Sequence, residues 1–280
     1  MWWDALGNYV ASLGYRTGDP AYEKWWATSA RRTHLVGKGV VRFHAVYWPA
    51  MLLSAGLPLP TDILVHDYLT IDGRKISKSG GATVDPVALT AAYGTDAVRW
   101  WLLREVPRVG DADFTPDRLI ARADADFAGR LGNLVHRIVT MVHRYRSGSV
   151  PTLGTDRFAV ATLLDVCGKA PARIDAALND SDFRRATGAA WGIVEEANRC
   201  IDATRPWELA RAERQGNADA AERLDAVLAS LVTACRVLAE ELRPFIPDAA
   251  ARIAQQVTSV DGSLPASTPL FRRLQQEQHA

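Results

Sequence analysis

The 280 residues are 48% hydrophobic and 23% charged, which is enough apolar material for a buried core and, at ordinary domain size, for two domains. With 33 basic and 32 acidic residues the formal net charge is +1, so the chain is not a global polycation and any nucleic acid must be met by a local patch. No apolar run reaches the ~18 residues of a membrane span, and Met1-Trp2-Trp3-Asp4 lacks the basic start and apolar core of a signal peptide. Cys167, Cys200 and Cys235 lie far apart with no CxxC, against both a zinc knuckle and a disulfide framework. The expectation is a protein of the reducing cytoplasm with no metal site and no membrane partner.

In chain order, the aromatic opening Trp2, Trp3, Asp4, Ala5 and Tyr9 carries no cap or leader and reads as an element entered mid-strand. His34 to His44 is an apolar strand running into the glycine-rich turn Gly37-Lys38-Gly39 and then a helix over Trp48 to Leu52. That is a βα unit of the doubly wound type, whose turn lies where ligands bind. Ile63-Leu64-Val65 reads as a second short buried strand, and Tyr68 to Ile71 with Asp72-Gly73 as a hairpin arm. The glycine-flanked loop Lys75-Ile76-Ser77-Lys78-Ser79-Gly80-Gly81 follows. Two lysine charges, two hydroxyls and close-approaching backbone suit phosphate, although a solvated basic turn has the same composition.

From Asp85 the period becomes helical. Asp85 caps a helix with Pro86 first, Gly94 closes it, and Thr95 or Asp96 opens the next. Thr115-Pro116 starts a long helix expected to run to Arg146, after an acidic turn at Gly110 to Asp113. The stripe Leu224, Leu228, Leu231, Cys235, Leu238 and Leu242 buries one face of a later helix in a bundle, and Arg243-Pro244 breaks it. The domain boundary is expected near 115–118. Residues 1–117 then form a partial nucleotide-binding domain, 118–257 a helical domain, and 258–280 a polar, loosely held tail.

Three groups of residues could carry chemistry. Asn133 and Arg137 share a helix face, which lets an amide and a guanidinium converge on one base edge. Arg130, Arg137, Arg144, Arg146, His136 and His143 make a local basic ridge there, although most such pairs are plain solvated surface. Trp207 follows Pro206 at a helix start, where its ring can stack a base or simply pack. Trp2, Tyr9, Phe43 and His44 can wall an apolar pocket for a flexible side chain with a sulfur contact, or form an ordinary aromatic core.

Lys75 to Ser79 resembles the KMSKS signature of class I aminoacyl-tRNA synthetases. The segments Trp2-Trp3-Asp4-Ala5, Gly37-Lys38-Gly39 with Arg42-Phe43-His44, and Ile63 to Pro86 are similar to the methionyl-tRNA synthetase family, in that family's order. The resemblance implies a partial Rossmann-like catalytic fold followed by an α-helical anticodon-binding bundle. It also implies ATP with Mg as substrate and no zinc site in this chain, with methionine and tRNA-Met as partners.

By the same resemblance Lys75 and Lys78 are the catalytic loop lysines, and Gly37, Ser77, Lys78 and Ser79 bind ATP. Trp2, Tyr9, Phe43 and His44 line the methionine pocket, and Asn133, Arg137 and Trp207 read a CAU anticodon. Gly39 stands where the family has a ribose-binding aspartate, Gly80 replaces a leucine and Ala82 an asparagine. The HIGH-containing half and the connective domain have no counterpart. The resemblance therefore implies the carboxy-terminal part of a methionine–tRNA ligase, with the missing amino-terminal half supplied elsewhere, such as by a separate chain. A non-catalytic tRNA-binding paralogue and a synthetase-like amino-acid ligase of a biosynthetic pathway stay open.

Overall fold

The structure, a computed structural model, describes residues 2–71, 73–76, 84–154 and 158–274, with the Lys75 side chain outside that set. It divides into two compact units, Met1–Ile76 with Arg108–Asp113, and Ser77–Pro107 with Phe114–Ala280.

The first unit opens on α1 (Trp2–Ala11), a helix where an extended element was expected. Leu6 and Val10, four residues apart, fall on one face and are buried, so helical spacing prevails over the β-preference of the aromatic residues. Asp19 Oδ1 accepts from Ala21 N at 2.8 Å and starts α2 (Pro20–Tyr22), which continues as a π-helical turn, Glu23–Ala27. Then β1 (Thr33–Gly37) leads through a 3₁₀ turn, Lys38–Val40, and a π-helical turn, Phe43–Tyr47, into α3 (Trp48–Ser54). β2 (Asp62–His66) pairs parallel to β1 with His34 opposite Ile63. This is the expected βα unit.

The hairpin also forms. β3 (Leu69–Ile71) pairs antiparallel with β4 (Arg74–Lys75) across Gly73, whose φ of +70° favours glycine. β3 has a second, parallel neighbour, β5 (Ala112–Asp113), inside the stretch expected to be only an acidic turn. Asp113 Oδ1 accepts from Thr70 Oγ1 at 2.8 Å and from Gly73 N at 2.9 Å, which draws residues 108–113 back to the first unit.

The second unit is helical. Asp85 caps α4 (Pro86–Tyr93), and Gly94 at φ +83° turns the chain directly into α5 (Thr95–Glu105). Thr115 caps α6 (Pro116–Ala123), which continues through a π-helical stretch, Asp124–Gly132, into α7 (Asn133–Arg146). The expected long helix is present with its middle underwound. After it come α8 (Ala161–Asn179), α9 (Phe183–Thr204), α10 (Pro206–Arg214), α11 (Ala218–Glu241) and α12 (Pro247–Val257). All six residues of the α11 stripe are fully buried.

The division of the chain differs from the expected boundary near 115–118, because α5 belongs to the bundle. Its Trp100 is sealed, donates Nε1–H to Asp126 Oδ2 at 2.9 Å, and sits 5.4 Å from the Trp191 ring of α9. The expected loose tail is corrected as far as residue 274. Leu264 and Leu270 are buried, and Phe271 stacks on Phe127 at 4.7 Å and 15°. Gln256 Nε2 also donates to the Thr268 carbonyl at 2.7 Å. Scattered apolar residues in a polar stretch are enough to dock it, since each buried leucine contributes ~1.5–3 kcal/mol. Among the described residues no helix is long and apolar enough to cross a membrane.

Candidate functional site

In the first unit the four expected pocket residues come together from two segments, α1 and the π-helical turn Phe43–Tyr47. Trp2 of α1 stacks on Phe43 at 4.0 Å and 11°, leaving Trp2 41% exposed. Tyr9, two turns further along the same face of α1, lies 2.9 Å from His44 Nε2 through its hydroxyl. His44 Nδ1 is 2.9 Å from the Val40 carbonyl, which can only accept. Nδ1 therefore carries the hydrogen, and Nε2 accepts from the Tyr9 hydroxyl.

Beneath this pair lie Trp26, His34 and Trp48, all buried and not singled out from sequence. Trp48 donates Nε1–H to His34 Nε2 at 3.1 Å, and the His34 ring is 4.4 Å from Tyr9. Burial first, and the neighbouring His44 second, lower the His34 pKa from its ordinary 6.5. An uncharged acceptor under the indole is what this geometry requires. The result is a rigid aromatic floor with a polar Tyr9–His44 edge, suited to a flexible apolar side chain.

At the carboxyl end of β1, Gly37 faces His66, whose Cε1 would be 3.6 Å from an added Cβ. A Cβ on Gly39 would lie 2.3 Å from the Tyr68 hydroxyl, so this turn admits a side chain only if Tyr68 moves. Lys38 crosses the Tyr68 ring at 4.8 Å and pairs with Asp111 at 2.6 Å and Asp67 at 3.1 Å. Hydrogen bonds to Asp111 and Asp67 raise the Lys38 pKa. The Gly110 amide and Lys38 lower that of Asp67, and Lys38 and the Tyr68 amide lower that of Asp111. Lys38 therefore clamps the β1 turn to the β5 approach. The backbone of Lys75 lies in β4. Its side chain, with Ser77, Lys78, Ser79, Gly80 and Ala82, lies outside the described residues.

In the second unit, a cavity of ≈ 570 Å³ opens beside α7. Gly129, Arg130, Asn133, His136 and Arg137 line one wall, and Val194, Glu195, Asn198 and Arg199 of α9 line the other. Asn133 and Arg137 are thus brought together as expected. Asn133 Nδ2 donates to the Gly129 carbonyl at 2.9 Å, which leaves its Oδ1 as an acceptor for a ligand. Trp207 stands 45% exposed at the start of α10 and is not among the residues lining this cavity.

The basic ridge is narrower than expected. Arg146 turns inward to Glu213 and Asp225 at 3.0 and 2.5 Å, and His143 Nε2 reaches the Pro265 carbonyl at 3.0 Å. The α9 wall went unread because residues 61 apart share no local spacing rule. Among the described residues no group of three or more His, Cys, Asp or Glu is placed to hold a metal ion. The three cysteines are buried thiols whose pKa values burial pushes up to about 11 for Cys167 and Cys200 and about 12 for Cys235.

The family model for class I tRNA synthetases (M) matches residues 1–139. The methionine–tRNA ligase of Caldanaerobacter subterraneus is 39% identical over 258 residues, covering 92% of this chain and 39% of that protein. The Bacillus subtilis methionine–tRNA ligase is 36% identical over 300 residues, covering 99% of this chain and 44% of that protein. Methionyl-tRNA synthetase of Mycobacterium tuberculosis, solved in complex with methionyl-adenylate, superposes with a TM-score of 0.87 at 33% identity, covering 97% of this chain. The chain belongs to the methionyl-tRNA synthetase family. It spans about two fifths of the length of these curated relatives and 55% of the solved chain.

Within this methionyl-tRNA synthetase family fold, the small parallel sheet and the helical bundle are both accounted for.

Proposed function

We propose that this chain is the carboxy-terminal part of a methionine–tRNA ligase, which activates methionine with ATP and transfers it to tRNA-Met in the cytoplasm. The observation that carries the reading is the convergence of Trp2, Tyr9, Phe43 and His44 on one aromatic cleft beside the carboxyl end of a parallel strand. In the first step a methionine carboxylate oxygen attacks the α-phosphate of ATP, the bond to the β-phosphate breaks, and pyrophosphate leaves. Lys75 and Lys78 are proposed to neutralise the charge that develops on the phosphates, with Mg travelling on ATP. Gly37, Ser77 and Ser79 are proposed to lie along the nucleotide. In the second step a ribose hydroxyl at the tRNA 3′ end attacks the adenylate carbonyl and releases AMP. Asn133, Arg137 and Trp207 are proposed to hold the anticodon.

The reading needs the phosphate-binding half carried by the longer relatives, in the same polypeptide or as a second chain. Methionine-dependent pyrophosphate exchange, measured with this chain alone and with the family's amino-terminal half added, tests it. Exchange that appears on addition supports the proposal, and none in either case contradicts it. One observation favours the runner-up, a tRNA-binding paralogue without chemistry: a Cβ on Gly39 would lie 2.3 Å from the Tyr68 hydroxyl, so the turn has no room for the carboxylate that the resemblance implies there unless Tyr68 moves. Exchange activity would dismiss that reading, and with it a biosynthetic ligase that uses no tRNA if the charged product is methionyl-tRNA.

A further inference from the structure

We propose that Asn198, on the α9 wall of the cavity, is a positioning residue for Arg137 and sets the base preference of the RNA cleft. The inference rests on the anticodon reading of Asn133 and Arg137 and adds a residue to it. Asn198 Nδ2 donates to the Val194 carbonyl, four residues back, at 2.9 Å. That bond fixes the amide plane and turns Oδ1 across the cavity, where it lies 3.5 Å from Arg137 Nη1. Asn133, on the facing helix, is tied in the same way to Gly129, so two amides of matched anchoring flank one guanidinium.

Among the described residues Arg137 also faces Asp202, at 3.8 Å from Nη2 and with its side chain 73% exposed. A contact that long and that wet restrains little. The Asn198 carbonyl, held in place by its own amide, makes the shorter of the two contacts and so biases how the guanidinium plane lies in the cavity, without neutralising it.

Orientation matters because the bases differ in pattern. Cytosine offers ring N3 and O2 as acceptors and its amine as a donor. A guanidinium held toward N3 and O2, with Asn133 Oδ1 accepting from the amine, fits cytosine. Uracil presents an N3–H donor to the same guanidinium and is rejected. A freely turning Arg137 would still attract RNA by charge but would lose that distinction.

The test is a set of equilibrium affinities of the full chain for a fluorescent anticodon stem-loop with CAU and for the same loop with UAU. The variants are Asn198→Ala, Asn198→Asp, Arg137→Ala and the Asn198→Ala/Arg137→Ala pair. Asn198→Ala is expected to reduce the CAU-over-UAU preference about fivefold, the size of one hydrogen bond. Asn198→Asp keeps an oxygen but loses the Nδ2–H anchor to the Val194 carbonyl and adds a charge beside Arg137, so it is expected to lose the preference as Asn198→Ala does. In the Arg137→Ala background Asn198→Ala should change nothing further. An undiminished preference in Asn198→Ala, a kept preference in Asn198→Asp, or additivity in the double variant would overturn the positioning role. Unchanged binding by Arg137→Ala would instead overturn the anticodon reading beneath it.

Discussion

His34 shows how one residue can govern the aromatic cleft without facing the ligand. Its Nε2 must stay unprotonated to accept from Trp48, and burial lowers its pKa below the ordinary 6.5. As pH falls through 6.5 the unfolded chain takes up a proton that the folded chain refuses, so stability is lost on acidification until the depressed folded value is passed. Urea midpoints at pH 7.5 and 5.5 should therefore differ more for the native chain than for His34→Gln, which keeps an acceptor but cannot titrate. An equal difference in both would contradict this role. That Trp2, Tyr9, Phe43 and His44 come together was legible from the motifs that carry them. His34 was not, since a histidine in an apolar strand carries no sign of which neighbour it serves. Asn198 was hidden for another reason, its partner Arg137 lying 61 residues away on a different helix.

At the scale of elements, the helix bearing Asn133 and Arg137 is braced from behind. Gly132, between the π-helical stretch and α7, would place a Cβ 3.1 Å from the Phe271 ring, and Phe271 lies flat on Phe127. His136 Nδ1 is 2.8 Å from Ser267 Oγ, so the same returning segment touches a residue that lines the cavity beside α7. Removing the Phe271 ring by Phe271→Ala is expected to cost about 1–3 kcal/mol, the stacking contribution plus part of a buried ring. Urea unfolding followed by circular dichroism measures it, and a change below ~0.5 kcal/mol would contradict the brace. Caps and stripes made most helices readable, as with Asp85, Thr115 and the α11 leucines. The two residues of β5 and the docked segment after Val257 were not readable. A two-residue strand has no period, and a polar stretch with three anchoring apolar residues looks like a tail.

For the whole molecule, the chain divides its two proposed tasks between two units, an aromatic cleft on a βα turn in one and an RNA cavity on a helical bundle in the other. The order of these parts could be read from the residues, because the change from strand to helical period at Asp85 coincides with the start of the bundle's first helix. The unit boundary could not, since α5 joins the bundle through Trp100 and β5 returns to the first unit through Asp113. The account stands on base-specific RNA binding by a chain with almost no net charge. The affinity of the unmodified chain for a CAU anticodon stem-loop, set against the same loop carrying GAU and against Trp207→Ala, measures that directly. The account predicts at least tenfold weaker binding of GAU, and a loss of ~1–3 kcal/mol on removing the Trp207 ring. Equal affinity for the two loops, unmoved by loss of the indole, would contradict it.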